Sequence, residues 1–110
     1  MIEWERIAEL QEDVGAESLA EVLDLFFEET EAVLDGLDQH LPPNRLKADL
    51  HFLKGSALNL GFSRVGAMCR AAEAENAGSR KLDTNALRQA YASSKESLLS
   101  GLNATRQVSI

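Results

Sequence analysis

Leu46, Leu50, Leu53, Ala57 and Leu60 recur at steps of four and three, the period of one buried stripe along an α-helix. Such stripes return along nearly the whole chain, separated by glycines, prolines and N-capping residues, and they restrict the architecture severely. The first spans about residues 3–14, with Trp4, Ile7, Ala8 and Leu10 on one side and Gly15 as its stop. The second covers about residues 16–39 and carries Leu19, Val22, Leu23, Phe26, Val33, Leu34 and Leu37. Ser18 and Glu21 have capping-box spacing, which would start it two residues later. His40-Leu41-Pro42-Pro43 ends it, because proline disfavours helix in the residue before it. The third runs over residues 44–60 and stops at Gly61. The fourth begins at Ser63, a good N-cap, and reaches about residue 77 before Gly78, with Val65, Met68, Cys69, Ala72 and Asn76 on one face. The fifth starts near Asp83 and carries Leu87, Tyr91, Leu98 and Leu102. β-branched residues are few, while Ala, Leu and Glu are many, which also favours helix over sheet.

Four longer helices joined by short turns predict an all-α fold: an antiparallel up-down-up-down four-helix bundle, capped at one end by the short N-terminal helix. The 110 residues suit one domain, 1–110, and are too few for two cores. The formal net charge of −7 argues against nucleic acid and against an anionic membrane surface, both of which need a basic face. Cys69 is the single cysteine, so no internal disulfide can form. Acids stand near the N-terminus where a signal peptide would be basic, and no apolar run approaches membrane-spanning length. These features predict a cytoplasmic location, and nothing in the sequence calls for more than a monomer.

The most informative stretch is His51-Phe52-Leu53-Lys54-Gly55-Ser56-Ala57-Leu58-Asn59-Leu60-Gly61. On a helix the core seam centres near Leu46 and Leu53, and His51 falls on the outer flank with Asn44, Lys47, Lys54, Gly55 and Leu58. A solvated histidine and two solubilising lysines would each be unremarkable alone. Gly55 is harder to explain, since glycine within a helix costs about 0.5–1 kcal/mol relative to alanine. Close helix packing is the usual reason, but this position points outward, where a missing side chain gives a partner access to the imidazole. Free imidazole titrates near 6.5, so most of it is neutral and nucleophilic at cytoplasmic pH. A neighbouring ammonium such as Lys54 can stabilise a transferring phosphoryl group, and Lys47 can add long-range attraction. Phe62 lies at the centre of the next turn, eleven residues after His51 and eleven before Glu73. An antiparallel hairpin therefore sets these two at one height. Glu73 is then either the acceptor for the non-reacting imidazole nitrogen or a solvated glutamate.

His51-x-Leu53-Lys54-Gly55-Ser56-Ala57-x-Asn59-Leu60-Gly61 closely resembles the motif of histidine-containing phosphotransfer (HPt) domains, the helical carriers of multistep phosphorelays. The length and five-helix pattern resemble the family over nearly the whole chain. The resemblance implies that His51 is the phosphoryl site, Lys54 its electrostatic partner, Gly55 the steric gap and Ser56 a local hydrogen-bonding and packing residue. Some relatives orient the histidine with a glutamine from the fourth helix; Glu73 occupies the matching position here. Phe52 and Leu58 are bulkier than the family pattern, as parts of a docking surface or, for Leu58, as packing against a neighbouring helix. The implied partners are receiver domains of response regulators and a hybrid histidine kinase, with Mg²⁺ on the receiver and no cofactor on this chain. No Gly-rich ATP loop is present, so a carrier rather than an enzyme is expected. The alternative is a four-helix adaptor that binds a signalling partner without chemistry. A metal-binding bundle is disfavoured, because Leu37 and Ala48 stand where Glu-x-x-His sets would place glutamates.

Overall fold

A computed structural model describes residues 2–37, 40–74 and 83–108, with side chains as far as Leu102. Five helices follow in order: α1 (Trp4–Val14), α2 (Leu19–Gly36), α3 (Pro43–Leu60), α4 (Ser63–Ala74) and α5 (Thr84–Val108). The described residues contain no strand, only an isolated antiparallel bridge between Ile2 and Phe62. No helix among them is long and apolar enough to cross a membrane.

Most boundaries follow the turn chemistry of the sequence. Pro43 opens α3 at a position that needs no backbone N–H. Asp83 caps α5, its Oδ1 accepting from the Ala86 N–H at 2.9 Å. The expected end of the fourth helix at residue 77, with Asn76 and Gly78, lies outside the described residues. Two expectations for α2 need correction. Ser18 stands at the N-cap, but its side chain makes no capping bond. Its N–H closes a turn onto Gly15 O at 3.2 Å, and it is itself in right-handed helical conformation, unlike an ordinary capping residue. At the other end α2 stops at Gly36, not residue 39, because Leu37 turns extended and buries its side chain. Arg88 of α5 then caps the exposed carbonyls, its guanidinium donating to Leu34 O at 2.8 and 3.2 Å and to Leu37 O at 2.9 Å.

Every member of the α3 seam is buried, from Leu46 to Leu60. α3 packs most extensively on α4 and also touches α1 and α2, while α4 packs on α5. The other predicted faces are met less evenly. In α2, Phe27 and Thr30 join the buried stripe, whereas Val22, Phe26 and Val33 are only partly covered. In α1, Ile7 and Leu10 are buried, but Trp4 and Ala8 remain exposed.

The link between α3 and α4 is the tightest joint in the molecule. Gly61 adopts φ +70°, and the N–H groups of Gly61 and Phe62 return to Leu58 O (3.3 Å) and Ala57 O (2.8 Å). A Cβ at Gly61 would stand 2.7 Å from Glu3 O, so glycine is required by conformation and by proximity alike. Glu3 N–H donates to Gly61 O at 2.7 Å, which pins the N-terminal segment to the corner. Phe62 drives into the core and meets Tyr91 of α5 edge to face, ring centroids 5.8 Å apart.

Candidate functional site

His51 sits midway along α3, on the side away from the Leu50–Leu53–Ala57 core, with 73% of its side chain exposed. Its Nδ1 faces Glu73 of α4, 3.8 Å from Oε2. The equal-height expectation for residues 51 and 73 across the corner is therefore met in space. Lys54 lies one turn further along α3 and leans between the helices, Nζ 3.4 Å from Glu73 Oε1. The Glu73 side chain is only 18% exposed, and Oε1 is fully covered without a hydrogen bond of good geometry. One carboxylate thus bridges an exposed imidazole and a half-buried ammonium, at distances that leave room to tighten on either side. A carboxylate on this side can accept a hydrogen bond from Nδ1–H, which leaves the lone pair on Nε2.

Gly55 is exposed one turn from His51, and a Cβ built there would meet nothing within 4 Å. Its missing side chain is therefore not a helix-packing device. Ser56 is buried in the α3 core. Lys47 stands exposed one turn before His51. Phe52 (39% exposed) and Leu58 (54%) are among the few large apolar side chains that reach solvent. Leu58 also leans across the neighbouring helix, its Cδ2 lying 3.9 Å from the Cβ position of Gly66.

Beneath the site lies Cys69, buried on α4 one turn before Glu73. Burial, reinforced by the Glu73 charge, pushes its thiol pKa up to about 12, against a smaller opposing effect from Lys54. A thiol held protonated in this way is neither nucleophile nor metal ligand at neutral pH. Among the described residues no three His, Cys, Asp or Glu side chains come together as a metal site.

The sequence reading missed the part played by Arg6. Its Nε donates to the backbone carbonyl of Asn59 at 3.3 Å and its Nη2 to Asn59 Oδ1 at 3.4 Å. Asn59, a member of the histidine motif, thereby helps to hold α1 against the end of α3. No local signal in the sequence links positions 53 residues apart.

Comparison with known proteins shows the family to which the chain belongs. The family model for the Hpt domain matches residues 21–106. Histidine-containing phosphotransfer protein 4 of Arabidopsis thaliana is 34% identical over 68 residues, which is 57% of this chain and 54% of that protein. The chain therefore spans about half the length of that curated relative. No solved structure matches. The chain belongs to the Hpt domain family.

Proposed function

We propose that this chain is a phosphoryl carrier of a multistep phosphorelay, receiving a phosphoryl group on His51 from the aspartate of one receiver domain and passing it to another. The observation that carries the reading is an exposed imidazole set over the Lys54–Glu73 pair, with open space beside it at Gly55. In the transfer step the Nε2 lone pair forms an N–P bond while the O–P bond to the aspartate breaks. The bonding electrons return to the departing carboxylate, and the proton on Nδ1 stays in place. Positive charge accumulates on the ring, where Glu73 offsets it, and negative charge spreads over the phosphoryl oxygens, where the Lys54 ammonium offsets it. Gly55 keeps the approach open, and Ser56 packs the helix that carries the site. Lys47, Phe52 and Leu58 form part of the docking surface.

Mg²⁺ belongs to the receiver, and a hybrid histidine kinase is a candidate source of the phosphoryl group. The chain acts as one domain over residues 1–110, as a cytoplasmic monomer and as a carrier without ATP chemistry of its own. For the bundle we read the up-down-up-down arrangement, with α2 and α5 closing it through Arg88, Tyr91 and Lys95. The 20 × 20 Å cross-section supports this, since two helices at about 10 Å spacing fill each direction.

The test is transfer from a phosphorylated receiver. His51→Gln is expected to abolish labelling, and His40→Gln to leave it intact. Lys54→Ala is expected to slow transfer by about tenfold or more, the effect of losing roughly 1.4 kcal/mol of transition-state stabilisation. Labelling that persists in His51→Gln would overturn the reading.

A further inference from the structure

The α3–α4 hairpin is the basic part of an acidic molecule. Between residues 43 and 74 stand five cations, Arg45, Lys47, Lys54, Arg64 and Arg70, against two acids, Asp49 and Glu73. α2 carries six acids and no cation, and the whole chain carries −7. Lys47, Arg64 and Arg70 are exposed and enter no ion pair among the described residues.

Two rows of residues run side by side along this hairpin. His51, Gly55 and Leu58 follow at steps of four and three on the exposed flank of α3. Glu73, Arg70 and Gly66 follow at steps of three and four on α4, in the opposite chain direction. The rows meet at His51–Glu73 at one end and at Leu58–Gly66 at the other. Between these ends the α3 row is bare at Gly55. The second end, about 10 Å from His51 by helical rise, opens into a cavity of about 320 Å³ whose lining includes Leu58, Gly66 and Ala67, with Arg6 and Arg70 against one acid, Glu3.

We propose that the receiver partner docks along this trough, with an acidic face against the hairpin and one apolar side chain seated in the corner cavity between Arg6 and Arg70. The proposal rests on His51 as the phosphoryl site, which brings the receiver's aspartate, an acidic centre, to the first end of the trough. The acids of α2 repel such a face, and the hairpin attracts it, so encounter is steered to one side of the molecule. The small residues Gly66 and Ala67 leave room for one protruding side chain, and Leu58 supplies an apolar wall for it.

The experiment uses the full chain with a phosphorylated receiver that exchanges label with it, and compares Arg70→Glu and Ala67→Phe. Both positions are exposed on α4, and helical circular dichroism checks the fold. Phosphoramidate is expected to label His51 of both variants at the unsubstituted rate. Transfer from the receiver is expected to show KM raised about tenfold, with kcat little changed. Added salt is expected to weaken the unsubstituted pair and Ala67→Phe, and to weaken Arg70→Glu much less. Normal transfer by folded, labelled Arg70→Glu would overturn the acidic docking face. Normal transfer by Ala67→Phe would overturn the seat in the cavity. Failure of phosphoramidate to label the unsubstituted chain at His51 would sink the phosphoryl reading itself, a distinguishable result that takes this proposal with it.

Discussion

At the scale of single residues, stability and function are set to diverge at Gly55. Glycine there weakens α3 and packs against nothing, so replacing it relieves a local fault. Gly55→Gln is expected to melt at or above the parent temperature, gaining at most about 1 kcal/mol. Its new side chain would project one turn from His51 and obstruct a receiver, while phosphoramidate should still label the imidazole. Melting curves read beside the two transfer rates check this; normal transfer from the receiver would make the glycine incidental. The layout of the site was legible because His51, Lys54 and Gly55 share one helix, where spacing dictates the flank. Glu73 could be placed from sequence only because the turn at Gly61–Phe62 is so short that counting residues outward from it measures height. Arg70, one turn from Glu73, was not singled out from the sequence, because nothing local marks the cavity it lines. That cavity exists because α1 lies across the corner.

At the scale of elements, boundaries set by a nearby residue were easier to read than boundaries set from another helix. Pro43 and Asp83 act through their own backbone or side chain, so the local sequence contains the cause. The end of α2 depends on Arg88, which arrives from a helix more than fifty residues away. A related long-range fit joins α1 to α5 at Gly101. A Cβ there would overlap the Trp4 ring, so the glycine provides the space in which the indole rests. Gly101→Ala therefore sets a gain of about 1 kcal/mol in helix propensity against displacement of that ring. The melting temperature is expected to move little while the emission of Trp4, the single tryptophan, shifts to the red. An unshifted spectrum with a full gain in stability would show that the indole does not depend on that space.

At the scale of the whole molecule, α2 and α5 are fastened to each other by side-chain contacts around Glu31. Tyr91 donates to Glu31 Oε2 at 2.9 Å, and Lys95 Nζ reaches the same oxygen at 2.6 Å while lying 4.6 Å from the centre of the Phe27 ring. The Lys95 bond holds the Glu31 carboxyl below its ordinary pKa; burial opposes this, and the Tyr91 bond adds to it. A depressed carboxyl contributes stability above its unfolded pKa and loses it as pH falls through the folded value. Glu31 is 42% exposed, so solvent screening holds the contribution to about 1 kcal/mol or less. Glu31→Gln is expected to lower the urea midpoint at pH 7 and to converge on the parent once the pH has fallen below the lowered pKa of the folded carboxyl. A gap that stays constant with pH would assign the loss to packing. Cys69 lies buried on α4, one turn from Glu73, its thiol protonated far above neutrality. It is the one sulfhydryl in the chain. Alkylation by iodoacetamide must therefore wait for the packing around α4 to open, and its rate becomes a stopwatch for that opening.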